Sequence, residues 1–155
     1  MSRIADRIAE LGLTLPGPHP PHHPLAAVIL HDGIARTSGQ LPRIAGELTC
    51  IGVLGDNVTV EAGREAAKVC ALNALSVLAA ELGDLDRIER LITVMGFVAS
   101  APGFDQQPAV VDGASTVLFD IFGEPAGRHT RSAVGVAALP RGGAVEIEVT
   151  AAVRR

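Results

Sequence analysis

Two pairs of segments along this chain alternate apolar and polar side chains with the period of two that is typical of β-strands. Residues 26–31 and 34–38 flank Asp32-Gly33, a strong signal for a two-residue hairpin turn. Near the C-terminus, residues 131–138 and 145–153 alternate in the same way on either side of a Pro-Arg-Gly-Gly sequence. The pattern therefore predicts one hairpin near each end of the chain.

Three other segments repeat apolar residues every three or four positions, as one face of a helix does. They cover residues 2–11, residues 60–82 and a stretch from about Pro108 to Gly123. Between the last two helices, residues 88–100 are rich in Ile, Val, Thr and Phe, which predicts a fifth strand.

Two segments lack a regular period. Residues 15–24 read Leu-Pro-Gly-Pro-His-Pro-Pro-His-His-Pro, and the five prolines predict a stiff, extended loop because each one fixes φ and removes a hydrogen-bond donor. Residues 43–58 have scattered glycines and are also predicted to be loop.

After the N-terminal helix, the order of elements is strand-strand-helix-strand-helix-strand-strand. That order predicts an α+β fold in which two amphipathic helices cover one face of a mixed sheet. The 155 residues fit a single domain, 1–155, with residues 1–24 as an N-terminal extension. The other sheet face also needs a cover, and because the mean hydropathy is +0.34, we expect another subunit to supply it.

Composition and charge narrow the range of functions. The formal net charge is −4, Tyr and Trp are absent and only four Phe are present, so nucleic acid is a disfavoured partner. No apolar run approaches the ~20 residues of a membrane span and the N-terminus has no signal-peptide core, which predicts a cytoplasmic protein with no membrane partner. Cys50 and Cys70 are expected to be free thiols in a reducing compartment.

The histidines of the proline-rich loop raise the question of a metal. His19, His22 and His23 are close in sequence, and imidazoles so placed can chelate zinc or nickel. No acidic or cysteine ligand accompanies them in that loop, so we expect a polar loop near a cleft and neither a metal nor a cofactor.

The two C-terminal strands carry the candidate chemistry. One face of the first strand begins with Arg131 and continues with small residues, and the second strand adds Glu146 and Glu148. An arginine and two carboxylates among very small side chains are more typical of the floor of a site than of a solvated surface.

Four short motifs, in a specific order and spacing, carry a resemblance to a known family: Ser38-Gly39-Gln40-Leu41-Pro42, Arg131-Ser132, Leu139-Pro140 and Val145-Glu146-Ile147-Glu148. From Pro24 to Arg155, the chain resembles the Rid family of imine/enamine deaminases, also called YjgF or L-PSP. The resemblance implies a chorismate-mutase-like α+β fold and a homotrimer with three clefts between subunits.

The resemblance also implies a reaction and roles for its residues. Family members hydrolyse reactive 2-imino or enamine acids to 2-keto acids and ammonia. Arg131 matches the arginine that binds the substrate carboxylate, a task suited to the two parallel donors of a guanidinium. Glu146 matches a glutamate that positions or activates water at the imine carbon. Ser38 and Gly39 match groups that line the same cleft and hold the water or the imine nitrogen.

Two substrate-binding positions depart from the family pattern. Leu25 stands where the deaminases often have a tyrosine, and Ala133 stands where many have a cysteine. The cleft keeps its carboxylate-binding group but has fewer polar contacts at the reacting end. We therefore expect a divergent subgroup, and the identity of the substrate stays open.

If the two C-terminal strands pair around Pro140 to Gly143, the simplest register places Glu146 opposite Ala137 and Arg131 opposite Ala152. The two charged groups are then roughly 20 Å apart, at ~3.3 Å per residue. One subunit could not bring both to a small substrate, so a shared site would lie across a subunit boundary. The alternative for Arg131 is a structural salt bridge between subunits, with Glu146 or Glu148.

Three functions remain at this point. The first is the deaminase, a hydrolase. The second is a non-catalytic trimer of the same fold that binds small carboxylates or acts as a scaffold, an alternative favoured by the missing Tyr and Cys. The third, the endoribonuclease that the older L-PSP label implies, is opposed by the acidic balance of the chain.

Overall fold

The computed structural model describes residues 2–154, which form one five-stranded sheet with helices packed on one face. The elements are α1 (Arg3–Glu10), β1 (Val28–His31), β2 (Ile34–Thr37), β3 (Arg43–Ile44), β4 (Glu47–Leu48), α2 (Val60–Leu82), β5 (Ile88–Ala99), α3 (Gln107–Phe122), β6 (Thr130–Val136) and β7 (Val145–Val153). The predicted α+β class and the order of its main elements are confirmed. No helix in the described part of the chain is long and apolar enough to cross a membrane.

The strand order of the sheet is β1-β2-β7-β5-β6, and only β5 and β6 run parallel. The predicted pairing of the two C-terminal strands is therefore wrong, because β5 lies between them. Arg131 is opposite Val94 and Glu146 is opposite Phe97, where Ala152 and Ala137 were expected. The physical reason is the α3 crossover between β5 and β6, which returns the chain to the same end of the sheet and makes this pair parallel.

The Pro-Arg-Gly-Gly segment is consequently a connection across the end of β5 and not a hairpin turn. It contains a short 3₁₀ turn, Pro140–Gly142, in which Arg141 has a left-handed backbone (φ 56°, ψ 19°). The segment is fixed to the 50–52 region, since Gly52 N donates to Gly142 O (3.0 Å) and Ala144 N donates to Cys50 O (3.2 Å).

The region predicted as loop over residues 43–58 contains a small hairpin, β3-β4. Its turn residues, Ala45 and Gly46, both have positive φ (50° and 80°), as a type I′ turn requires. An Ala-Gly turn lacks the Asn-Gly signal by which such hairpins are usually predicted. Buried Asn73 of α2 attaches the hairpin to the core, because its Nδ2 donates to Leu41 O (3.2 Å) and Arg43 O (2.9 Å).

The core lies between the sheet and helices α2 and α3. Val94, Val98, Ile147 and Val149 point from the central strands into this layer and are fully buried. The two helices approach closely at Gly113, where a Cβ would lie 2.7 Å from the carbonyl carbon of Arg64. The helices therefore cover one sheet face, as predicted.

The other sheet face, here called the open face, is not covered by any element within residues 2–154. Alternate positions of the central strands point to it, including Glu146 and Glu148 of β7. Large apolar side chains are exposed there, with Ile29 at 61% and Val134 at 40%. Cover by another subunit stays a prediction.

Candidate active site

A cleft of about 660 Å³ opens beside the end of β2, between the proline-rich loop, the β3-β4 hairpin and the Pro140–Gly142 turn. Three of the predicted site residues, Leu25, Ser38 and Gly39, line it. The side chain of Leu25 is 63% exposed and forms an apolar part of the cleft wall. A cavity of this size falls within the ~300–1,000 Å³ range of small-molecule sites.

The Ser38-Gly39-Gln40 segment is held firmly between strands. Ser38 N donates to Ala27 O (2.8 Å), and Gln40 exchanges two backbone hydrogen bonds with Ile147 of β7 (2.8 and 3.0 Å). The Ser38 hydroxyl donates to Ala26 O (2.7 Å). Its proton is therefore engaged, and toward a ligand Ser38 offers only its acceptor lone pairs.

Gly39 allows the Glu146 carboxylate to lie directly on the backbone of this segment. A Cβ at position 39 would be 2.6 Å from Glu146 Cδ and 2.9 Å from Cγ, and would overlap Oε1. The need for glycine here is steric, because the residue is not in the left-handed region. Gly39 therefore lines the cleft and also lies against the Glu146 carboxylate of the open face.

Glu146 has a carboxyl group whose pKa is perturbed by its surroundings. It is half-buried, and burial together with the charge of Glu148 raises its pKa above the ordinary value. Glu148 has its own partner, Arg36 (3.2 Å). Among the residues that the structure describes, no side chain or backbone donor bonds the Glu146 carboxylate. Its surroundings thus favour the protonated form of the carboxyl group more than water does.

Arg131 lies at the sheet edge, on the side of β6 that faces the helices. Its Nη1 donates to Asp112 Oδ1 (2.7 Å) and to Ser115 Oγ (3.3 Å), both on α3. The arginine side chain is 21% exposed and that of Asp112 is 47% exposed. Within the chain its partner is therefore Asp112, and not either of the glutamates considered from the sequence.

His129 completes this network. Its Nδ1 is 2.7 Å from Gly127 O and its Nε2 is 2.9 Å from Ser115 Oγ. A carbonyl oxygen only accepts, so Nδ1 carries the proton, and in the neutral ring Nε2 accepts from the Ser115 hydroxyl. Sequence reasoning missed Asp112 and Ser115, although their spacing of three on an amphipathic helix places them on one face.

The chain by itself does not bring Arg131 and Glu146 together. Arg131 neighbours Val94 on the helix side of the sheet, whereas Glu146 neighbours Phe97 on the open face. Ala133 follows Arg131 on the helix side and packs partly buried against the core. Of the predicted residues, Leu25, Ser38, Gly39 and Glu146 are therefore close together, and Arg131 and Ala133 form a separate group.

No three His, Cys, Asp or Glu side chains come together as metal ligands anywhere in residues 2–154. His19 and His22 line the cleft, as expected for a polar loop. Both cysteines are free, and burial, followed by the charge of Glu146, raises the pKa of the Cys70 thiol well above its ordinary value. Cys70 is thus an inert core thiol beneath β7.

Comparison with known proteins places this chain in a family. A family described as "YjgF/chorismate mutase-like, putative endoribonuclease" matches residues 12–149. The chain is 42% identical to Protein TCP17 of Trypanosoma cruzi over 148 residues, 94% of this chain and 91% of that protein.

Two solved structures show how far the likeness extends. The Agrobacterium tumefaciens protein Atu1372, of unknown function, is 38% identical with a TM-score of 0.90, over 98% of this chain and 94% of that one. The Escherichia coli YjgF gene product is 25% identical with a TM-score of 0.61, over 92% and 96% of the two chains. The chain belongs to the YjgF/chorismate mutase-like family, in a subgroup that diverges from E. coli YjgF.

Proposed function

We propose that the protein is an imine/enamine deaminase that hydrolyses small carboxylate-bearing 2-imino or enamine acids to 2-keto acids and ammonia. The observation that carries the proposal is the Glu146 carboxylate. It is half-buried, has a raised pKa, accepts no hydrogen bond within residues 2–154 and lies against Gly39, which lines the cleft. A carboxylate whose protonated form is favoured by its surroundings is suited to accept and return a proton during a reaction.

In this reaction the substrate imine is protonated on nitrogen, and the ionised Glu146 takes a proton from water as the water oxygen bonds to the imine carbon. The π electrons of the C=N bond move to nitrogen, which gives a neutral carbinolamine. Glu146 then returns its proton to that nitrogen, and the C–N σ bond breaks as the carbonyl forms and the hydroxyl proton passes to Glu146. The released ammonia takes this proton as ammonium, so the carboxylate ends the cycle ionised.

Arg131 would bind the substrate carboxylate in a cleft completed by a second copy of the chain. Asp112 and Ser115 occupy Nη1, and the Nε and Nη2 edge makes no hydrogen bond within the described residues. That edge offers two parallel donors, the geometry that a carboxylate prefers. Because Arg131 and Glu146 of one chain are on opposite sheet faces, the proposed site takes one from each of two subunits of a homotrimer.

The test is a coupled assay. An amino-acid oxidase generates the imine, semicarbazide traps what remains, and the deaminase lowers the yield of semicarbazone. The native protein should accelerate imine loss, Glu146→Gln should abolish the effect, and the control Glu65→Gln, at an exposed glutamate of α2 that pairs with Lys68, should retain it. Equal activity of the native protein and Glu146→Gln would refute the assignment.

Subunit mixing tests the shared cleft. Glu146→Gln and Arg131→Ala should each be inactive alone, yet an equal mixture refolded together should recover about a quarter of native activity. The reason is that each boundary of a ring draws its two residues from two different chains. No recovery from correctly assembled mixtures would contradict a site between subunits.

The Asp112–Arg131 pair favours a second candidate, a non-catalytic carboxylate-binding trimer, because the carboxylate neutralises part of the charge that would hold a substrate. Binding of 2-oxobutyrate without any acceleration of imine loss would establish that function instead. Cleavage of a labelled RNA by the native protein, lost in Glu146→Gln, would favour the nuclease named in the family description.

A further inference from the structure

The cleft contains positive charges that the proposed reaction does not use. Arg43 and Arg141 line it, one from the β3-β4 hairpin and the other from the Pro140–Gly142 turn. No Asp or Glu is among the residues that line it. The chain as a whole has a formal net charge of −4, so this local excess of cations is opposite in sign to the protein.

Both arginines are held in place without a carboxylate partner. Arg43 Nη1 donates to Gly46 O (3.0 Å), a neutral acceptor, and the Arg43 backbone carbonyl accepts from the buried amide of Asn73 (2.9 Å). Arg141 has a left-handed backbone, φ 56°, in a turn that is bonded to Gly52. No salt bridge within residues 2–154 compensates either charge.

The guanidinium charges of Arg43 and Arg141 both act on the cleft next to His19. Burial lowers the pKa of His19, and the positive charges of Arg43 and Arg141 lower it further. Both arginines are thus close enough to interact electrostatically with one side chain in the cleft wall. Unpaired guanidinium groups in a concave site attract carboxylates strongly, because each can donate two parallel hydrogen bonds.

The size of the cleft agrees with a substrate that is longer than a simple 2-imino acid. At about 660 Å³, it extends from Ser38 and Gly39, next to Glu146, to the two arginines. A four- or five-carbon backbone can span part of such a cavity with one end near Gly39 and the other near a guanidinium.

We propose that the substrates are 2-imino dicarboxylic acids of four or five carbons, whose second carboxylate is bound by Arg43 and Arg141. The inference rests on the proposed deaminase function and adds the substrate class. Arg131 binds the carboxylate next to the imine, Glu146 serves the imine carbon, and the two cleft arginines select for the distal anion. The bonds made and broken are those of the parent reaction, with water as the only co-reactant.

The kinetic test compares an imine made from glutamate with one made from 2-aminobutyrate. For the native protein kcat/KM should be at least tenfold higher for the dicarboxylate. Arg141→Gln and Arg43→Gln should each lower kcat/KM for the dicarboxylate about tenfold, which corresponds to ~1.4 kcal/mol. Neither variant should change kcat/KM for the monocarboxylate. The matched control is Arg154→Gln, which alters a surface arginine that contacts Glu89. This variant should leave kcat/KM unchanged for both substrates.

A binding test needs no catalysis and separates the two hypotheses. By calorimetry, 2-oxoglutarate should bind the native protein at least tenfold more tightly than 2-oxobutyrate, and Arg141→Gln should abolish the difference. Since Arg141 is exposed, that variant tests the site even if Arg43→Gln disturbs the β3-β4 hairpin.

The outcomes are distinct. Selective binding of 2-oxoglutarate without turnover of any imine would support the anion site and refute the deaminase. Turnover of both imines with equal kcat/KM, unaltered in Arg141→Gln, would overturn the dicarboxylate inference and leave the deaminase standing. Neither turnover nor selective binding would overturn both.

Discussion

Replacing Gly39 with alanine should separate catalysis from stability. The new Cβ would be 2.6 Å from Glu146 Cδ, whereas ordinary carbon contacts begin near ~3.5 Å. The carboxylate must therefore retreat by about 1 Å. Misplacement of a reacting group by ~1 Å costs on the order of 100-fold in rate. The backbone at Gly39 is not left-handed, so alanine brings no conformational strain.

The predicted effect on stability is small because the group that must move is the end of a flexible side chain. We expect Gly39→Ala to lower the free energy of unfolding by about 1 kcal/mol or less, a shift of ~2–4 °C in Tm. The semicarbazone assay should meanwhile show a roughly 100-fold loss of activity. Thermal denaturation by circular dichroism measures the first quantity on the same sample.

A second variant makes the steric explanation refutable. In Gly39→Ala/Glu146→Asp the acidic side chain is one methylene shorter, which leaves room for the new Cβ. We expect this double variant to be more active than Gly39→Ala alone, although Glu146→Asp alone should be less active than the native protein. Native activity in Gly39→Ala, or a loss of activity that equals the loss of folded protein, would refute the proposed role of the Gly39 contact.

Three further predictions concern stability. The pKa of Glu146 is raised in the folded protein, so the charged carboxylate destabilises the fold as pH rises. Glu146→Gln should therefore raise Tm near about pH 8 but not near about pH 3.5. An equal change of Tm at both pH values would contradict this. Asp112→Ala should lower the unfolding free energy in urea by about 1 kcal/mol, because Asp112 is half exposed; no change would mean that the Arg131 pair contributes nothing. Gly113→Ala should cost about 2–3 kcal/mol in thermal denaturation, because its Cβ meets the Arg64 backbone, and an unchanged Tm would refute that contact.

The sequence was most informative where one element sets its own pattern. The helices α2 and α3 and the strands β1, β2, β5 and β7 are all found near their predicted ranges, because burial on one side imposes a period on each. The error was in pairing. A Pro-Arg-Gly-Gly segment between two alternating stretches favours a hairpin between those two strands. Strand β5, whose Val94 and Val98 are fully buried, instead lies in the middle and pairs with β6 on one edge and with β7 on the other.

The candidate site was predictable in its residue types and less so in its contacts. Leu25, Ser38 and Gly39 followed from a local motif, and the structure brings them to one cleft. The partner of Arg131 did not follow, because the contact with Asp112 depends on how α3 packs across β6. Sequence periodicity gives the face of each element and not the distance between side chains on two of them.

The position of Arg131 constrains how copies of the chain could assemble into the proposed site. Strands β6 and β1 are the two edges of the sheet, so Arg131 is at one edge and the Ser38 cleft is near the other. A two-fold dimer through β6 would bring Arg131 to its own copy and leave both clefts incomplete. Contact of the β6 edge of one copy with the β1 side of the next is head-to-tail, and such contacts complete every cleft only when the ring closes. The proposed chemistry therefore favours a closed cyclic assembly over a dimer, and the apolar side chains exposed on the open face, Ile29 among them, would be buried at its interior.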